Sequence, residues 1–132
     1  MQLNSTLFGL TTYGGKYGNG ALFSIGTDGK HFKILQNFGK TSTNDGINPY
    51  GSLLLNGTTL YGTTRAGGSK GNGTVFQIDT TGDNYARIYD FQNGHDAANP
   101  IDNVIILDNA LYGMSEAGGL CGNGAIFSLQ LP

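Results

Sequence analysis

A glycine-rich stretch occurs three times in this chain, and the repetition limits the possible folds more than any other feature. The copies begin at Leu7, Leu60 and Leu111, so they recur after 53 and then 51 residues. Each copy opens with Leu-Tyr-Gly or Leu-Phe-Gly, continues through Gly-Gly and Gly-Asn-Gly, and closes with an apolar run. Self-similarity at about this period is typical of solenoids, propellers and repeat arrays. The sequence therefore predicts three similar units in one domain.

Each unit is predicted to contain four short strands. In the second unit these are an apolar run at 53–55 led by Pro49, then 60–64, 74–78 and 85–91. The 23 glycines and the low charged fraction of 12% suit an all-β chain with many turns. Pro49 and Pro100 are expected to begin their strands, because proline is tolerated at the first residue of a strand and not in its middle.

The predicted strands carry apolar residues on both faces, which indicates sheets that are covered on both sides. Four-stranded antiparallel sheets covered by like sheets are the blades of a β-propeller. We therefore predict blades at 1–38, 49–91 and 100–132, the last without its outer strand, and equal burial of Phe23, Phe76 and Phe127. The alternative is a two-layer sandwich of ten or eleven strands, although a sandwich predicts cleaner in–out alternation and no repeat of this length.

The pattern Leu-Tyr-Gly-Thr-Thr, Gly-Gly, Gly-Asn-Gly-Thr-Val-Phe, a Phe-ended strand and Asn-Pro resembles the GloVer repeat of bacterial proteins. The match covers nearly the whole chain and is specific at 60–78 and 91–100. The first copy departs from the pattern at Leu10, and the third departs at Met114, Ser115 and Cys121. The resemblance implies a kelch-like propeller blade and an extracellular bacterial setting, and it implies no particular activity.

Three blades are fewer than the four to eight of most closed propellers. The sequence thus predicts either self-association or a segment cut from a longer array. A homodimer would supply six blades and a homotrimer nine, and six lies nearer the usual range.

Several chemistries find little support in the sequence. A strand and not a helix follows each Gly-Asn-Gly, so these glycines predict turns and not a phosphate loop. His31, His95 and Cys121 show no zinc or nucleophile spacing, and Asp45 and Asp96 are expected to cap their own loops. The net charge of −2 favours neither nucleic acid nor a membrane surface. There is no signal-peptide pattern at residue 1. We expect no cofactor, no metal and no enzymatic activity.

The positions that vary between copies are the better candidates for function. Positions 12, 65 and 116 are equivalent and hold Thr, Arg and Glu within a constant glycine framework. In a propeller these positions and the loops between blades share one rim, and rigid scaffolds carry function on such loops. We expect a carbohydrate or another small polar ligand, with a structural repeat module for surface display or protein contact as the alternative. The candidate ligand-binding residues are Tyr13, Lys16, Tyr17, Asp45, Asn48, Arg65, Lys70, His95, Asp96, Asn99 and Glu116.

Overall fold

The computed structural model describes residues 1–40 and 45–132, which form twelve strands and no helix. Sheet 1 contains β1 (Gln2–Leu3), β2 (Thr6–Thr11), β3 (Ala21–Gly26) and β4 (Lys33–Asn37). Sheet 2 contains β5 (Gly46–Asn56), β6 (Thr59–Gly67), β7 (Thr74–Asp79) and β8 (Ala86–Asp90). Sheet 3 contains β9 (Ala97–Pro100), β10 (Ile105–Leu107), β11 (Ala110–Gly118) and β12 (Ala125–Gln130). Each repeat therefore forms one antiparallel sheet.

Neighbouring strands in a sheet are consecutive in the chain, except in sheet 3. The orders are β1-β2-β3-β4 and β5-β6-β7-β8, whereas β9 and β10 both pair with β11. The four strands of sheet 3 thus include a first strand split in two. Within the described ranges, no strand pairs with the second edge of β12.

Pro49 lies inside β5, which corrects the expectation that it begins the strand. β5 starts at Gly46, and Pro49 pairs with Thr64 on β6. Because β5 is an edge strand, the missing N–H of Pro49 removes no hydrogen bond from an inner ladder. The register then shifts just after Tyr50. In sheet 3 the same irregularity separates β9, which ends at Pro100, from β10.

Sheet 2 lies between sheets 1 and 3 and has an apolar core on each face. The core shared with sheet 1 consists of Phe8, Leu22, Leu35, Phe38, Leu53, Leu60, Phe76 and Ile78. The core shared with sheet 3 consists of Tyr61, Val75, Phe91, Ala97, Val104, Leu111 and Leu131. Successive residues of β7 alternate between the two cores, as the period of a strand requires. Three stacked sheets exclude the two-layer sandwich.

A phenylalanine ring covers a glycine in every sheet. Phe76 is the cross-strand partner of Gly62, and a Cβ on that glycine would lie 2.5 Å from the Cζ atom of the ring. The same 2.5 Å approach recurs between Gly9 and Phe23 and between Gly113 and Phe127. The glycine of the Leu-Tyr-Gly motif is therefore needed to admit the phenylalanine of the following strand.

The three equivalent phenylalanines are not equally buried, which corrects the prediction from sequence. Phe76 is 0% exposed, because Phe38 of the first unit lies 5.2 Å from it and Tyr85 of its own unit lies 5.9 Å from it, between ring centroids. Phe23 has Phe32 beside it at 5.7 Å but no preceding sheet, and it is only half-buried.

Phe127 is also half-buried, but within the described ranges it lacks an aromatic neighbour from an outer strand, whereas Phe23 lacks one from a preceding sheet. Phe91 of the preceding unit lies 4.8 Å from the Phe127 ring, but no outer-strand aromatic covers its other side. The aromatic cluster is thus complete only in the middle unit.

Burial of the Tyr85 hydroxyl, which has no hydrogen-bond partner among the described residues, raises the pKa of that side chain above the usual range of tyrosine.

Each Asn-Pro pair lies against the Gly-Asn-Gly loop of the preceding unit. The Asn48 N–H donates to the carbonyl of Asn19 at 2.8 Å, and Asn48 Nδ2 donates to the carbonyl of Thr12 at 3.0 Å. Pro49 packs directly on Gly20, where a Cβ would lie 2.6 Å from the Cδ atom of the proline. We call this set of bonds the inter-repeat contact.

The inter-repeat contact is repeated between sheets 2 and 3. The Asn99 N–H donates to the carbonyl of Asn72 at 2.7 Å, and Asn99 Nδ2 donates to the carbonyl of Arg65 at 2.9 Å. Pro100 Cδ lies 2.8 Å from the Cβ position of Gly73. The same contact geometry therefore joins sheet 1 to sheet 2 and sheet 2 to sheet 3.

Candidate functional site

A cavity of about 740 Å³ opens where the variable positions of the three units meet. Thr12 follows β2 directly, Arg65 lies near the end of β6, and Glu116 lies near the end of β11. Because the sheets stack in register, these three equivalent positions come to one place. The full lining comprises Thr12, Tyr13, Asn48, Tyr50, Arg65, Ala66, Asn99 and Glu116.

The variable positions lie in strands more than in loops. The sequence predicts that the second strand of each unit ends at Thr64 or Ser115, but β6 runs to Gly67 and β11 to Gly118. Arg65 and Glu116 are consequently held by backbone ladders with β5 and β9. A site on strand ends is more rigid than a site on free loops.

Arg65 and Glu116 form an ion pair between sheets 2 and 3. Arg65 Nε donates to Glu116 Oε1 at 2.8 Å, and Arg65 Nη2 donates to the same oxygen. This hydrogen bond and the charge of Glu116 raise the pKa of Arg65 above its usual value. The side chains keep 47% and 36% of their surface exposed, so a ligand can reach both. Arg65 Nη1 and Glu116 Oε2 make no hydrogen bond to a described residue.

Asn48 and Asn99 line the cavity and also hydrogen-bond to the backbone of the variable positions. Their amide nitrogens donate to the carbonyls of Thr12 and Arg65, so each side chain fixes the backbone of a variable position. Their Oδ1 atoms accept no hydrogen bond from the part of the chain that the structure describes.

Two tyrosines supply the aromatic surface of the cavity. Tyr13 is 71% exposed and Tyr50 is 46% exposed, and both contribute to the lining. Tyr50 is absent from the residues predicted from sequence, since its equivalent in the third unit is Ile101 and the motif gives it no special spacing. The only available signal is an aromatic residue directly after the Asn-Pro pair.

Six of the predicted site residues lie outside this cavity. Lys16 and Tyr17 contact each other, with Lys16 Nζ 5.5 Å from the centroid of the Tyr17 ring. Asp96 accepts hydrogen bonds from the Gln92 and Ala97 N–H groups, as loop capping predicts. The other three are Asp45, Lys70 and His95, which do not line the cavity.

Asp96 also accepts a hydrogen bond from the Tyr89 hydroxyl at 2.8 Å. This bond raises the pKa of Tyr89. Both oxygens of Asp96 are therefore engaged, Oδ2 by Tyr89 and Gln92 and Oδ1 by Ala97 at the start of β9.

A second cavity of about 750 Å³ lies at the opposite, hairpin end of sheet 1, with Asp28, His31 and Lys33 in its lining. Lys33 Nζ is already engaged by the carbonyl of Thr81 at 2.8 Å. Apart from Thr80, the lining comes from the first unit alone. The cavity at the variable positions is the better candidate, because all three units contribute to it.

Residues 1–40 and 45–132 contain no group of three or more His, Cys, Asp or Glu side chains that could hold a metal ion. Across the same ranges, no helix has the length and apolar character needed to cross a membrane.

The stacked sheets and the repeated inter-repeat contact define an all-β tandem-repeat protein. Residues 1–132 match the Gloeobacter/Verrucomicrobia repeat, and the chain belongs to this family. The GloVer resemblance inferred from the motif is confirmed, whereas the likeness to kelch blades stays a prediction. No curated protein and no solved structure matches the chain.

Proposed function

We propose that this chain is a non-enzymatic binding module whose three sheets are kelch-like blades of a β-propeller. The observation that carries the proposal is the convergence of positions 12, 65 and 116 on one cavity. The framework around these positions repeats, while the side chains facing the cavity differ. A repeated scaffold with individual side chains at one rim is how propellers present a binding site.

The stacking of the sheets supports the propeller. Equivalent faces meet between sheets 1 and 2 and between sheets 2 and 3, as they do between successive blades. The first strands, β1, β5 and β9–β10, lie on the same edge of their sheets, as the inner strands of blades do. In a ring the cavity would open beside the central channel.

The lining favours a small hydroxyl-rich ligand such as a carbohydrate. Tyr13 and Tyr50 offer rings on which a sugar face can stack. Arg65 offers a free donor and Glu116 a free acceptor, and the Oδ1 atoms of Asn48 and Asn99 add acceptors at fixed places. The volume is within the range of small-molecule sites.

Binding should depend on the ion pair, whereas stability should not. In a screen of immobilised glycans followed by calorimetry on each hit, the variant Arg65→Ala/Glu116→Ala is expected to lose binding. Its melting temperature is expected to stay almost unchanged, because exposed ion pairs contribute little to stability. The matched control is Arg87→Ala, which removes an arginine paired with Asp90 outside the cavity and should bind like the native protein.

Two results would contradict the proposed site. If the double variant binds its glycan as tightly as the native chain, the ligand lies elsewhere. If it melts much lower, the pair is structural and the loss of binding says nothing specific about the cavity. Tyr13→Phe and Tyr13→Ala then separate hydrogen bonding from stacking in the same lining.

A further inference from the structure

The outer faces of sheets 1 and 3 are apolar and open. The face of sheet 1 that points away from sheet 2 exposes Leu7 (38%), Phe32 (60%) and Ile34 (39%) around the half-buried Phe23. We call this the first end face. The face of sheet 3 that points away from sheet 2 exposes Ile105 (60%), Leu107 (59%), Met114 (48%) and Ile126 (78%). We call this the last end face.

Two residues of the first end face, Leu7 and Phe23, have equivalents that are fully buried in the middle unit, whereas the equivalents of Phe32 and Ile34 are the half-buried Tyr85 and the exposed Arg87. Leu7 corresponds to Leu60 and Leu111, and both of these are 0% exposed. Phe23 corresponds to Phe76, which is also 0% exposed. In the middle unit this face packs on sheet 1. The first end face thus has the residues of a packed interface and no sheet against it.

The last end face also contains an exposed residue whose equivalents in the other units are buried. Ile126 is 78% exposed, but its equivalents Leu22 and Val75 are 0% exposed. The four residues of the last end face and the neighbouring Tyr112 correspond to side chains of the first unit that belong to the core with sheet 2 or pack against it. The pairs are Ile105 with Met1, Leu107 with Leu3, Tyr112 with Phe8, Met114 with Leu10 and Ile126 with Leu22.

The last end face also contains a groove for a large side chain. It has a volume of about 380 Å³, and its lining includes Ile105, Met114 and Ile126. Within the chain, the corresponding face of sheet 1 receives the ring of Phe76. The equivalent ring on the first end face is Phe23, which is the side chain that this groove would accept.

We propose that the last end face of one copy of this chain docks on the first end face of a second copy. The internal interface between sheets 1 and 2 is the template, because the first end face carries the equivalents of its Leu60 and Phe76 and the last end face carries those of its Phe8 and Leu22. The contact is head-to-tail, so a pair of copies can repeat it and close, which brings six sheets into one ring. Such an assembly goes beyond ligand binding at the cavity and does not depend on it.

The test uses one charged substitution on each face. In light scattering over a micromolar concentration range, the native chain is expected at twice the 13.9 kDa of one copy. Phe32→Asp and Ile126→Asp should each weaken self-association about tenfold or more, because each places a charge in every head-to-tail contact. Both side chains are largely exposed in one copy, so the variants should fold, and circular dichroism checks this. Leu120→Asp is the matched control, since Leu120 is 84% exposed and lies outside the groove.

Mixing the two variants gives the decisive result. Each retains one native face, and those two faces complement each other, so a 1:1 mixture is expected to recover a species of two copies. A native chain that stays monomeric throughout the concentration range would overturn the proposal. So would a variant that self-associates like the native chain, which would indicate a symmetric contact through the other face.

Discussion

Replacing Phe76 with alanine is expected to lower the free energy of unfolding by about 3–5 kcal/mol, the usual range for deleting a buried phenylalanine. The ring is 0% exposed and lies within 6 Å of both Phe38 and Tyr85, measured between centroids. Its removal also leaves Gly62 uncovered on the neighbouring strand. Reversible unfolding in urea measures the effect directly.

The same substitution at Phe23 and Phe127 provides the matched comparison. Each of these rings lies over its own glycine but lacks one of the two aromatic neighbours of Phe76. At protein concentrations low enough to keep copies of the chain apart, both variants should therefore lose less stability than Phe76→Ala. Equal losses at all three positions would mean that the end units are covered as fully as the middle one, against the exposures found here.

Replacing Gly73 with alanine is expected to cost about 3 kcal/mol or more, because strain and overlap act together. The residue has a φ of 97°, where side chains other than glycine are disfavoured. Its Cβ would also overlap the carbonyl oxygen of Thr64 and lie 2.8 Å from Pro100 Cδ. The two strands that cause the overlap belong to different units, so the substitution should loosen sheet 3 from sheet 2.

Gly71→Ala separates backbone strain from overlap. Gly71 has a φ of 77°, but a Cβ there would meet nothing within 4 Å. Strain alone should cost about 1 kcal/mol at this position. If the two alanine variants unfold at the same urea concentration, the packing of Pro100 on Gly73 contributes nothing and the inter-repeat contact is not a stabilising element.

Most of the fold is predicted by the repeat period together with the alternation of apolar runs and glycine turns. The period predicts three units, and the alternation of apolar runs with glycine turns places most strands within about three residues of their observed ends. The exceptions follow from contacts between units. Pro49 and Pro100 sit inside or at the end of their strands because each packs on a glycine of the preceding loop, far away in sequence. A rule about proline in a single strand cannot include that contact.

The candidate cavity was partly predictable in the same sense. Equivalence of positions 12, 65 and 116 follows from the repeat, and it places Thr12, Arg65 and Glu116 together once the sheets stack. Tyr50 could not be found this way, because its equivalent in the third unit is Ile101 and the motif gives the position no special spacing. Lys70 and His95 belong to variable polar loops too, but they lie outside the cavity.

Unequal burial of the three phenylalanines also has a physical cause that no local pattern contains. The motif around each ring is the same, but the neighbours are supplied by the preceding unit and by the unit's own outer strand. Phe76 has both, whereas Phe23 and Phe127 each have one. Burial in a repeat protein depends on position in the stack as well as on sequence.

Amide hydrogen exchange at Asn48 and Asn99 tests most directly whether successive sheets are locked together by the inter-repeat contact. Their N–H groups donate across units to the carbonyls of Asn19 and Asn72. If the sheets form one cooperative body, both amides should exchange about as slowly as the core amides of β7. Exchange at the rate of an open loop, with β7 still protected, would contradict the account.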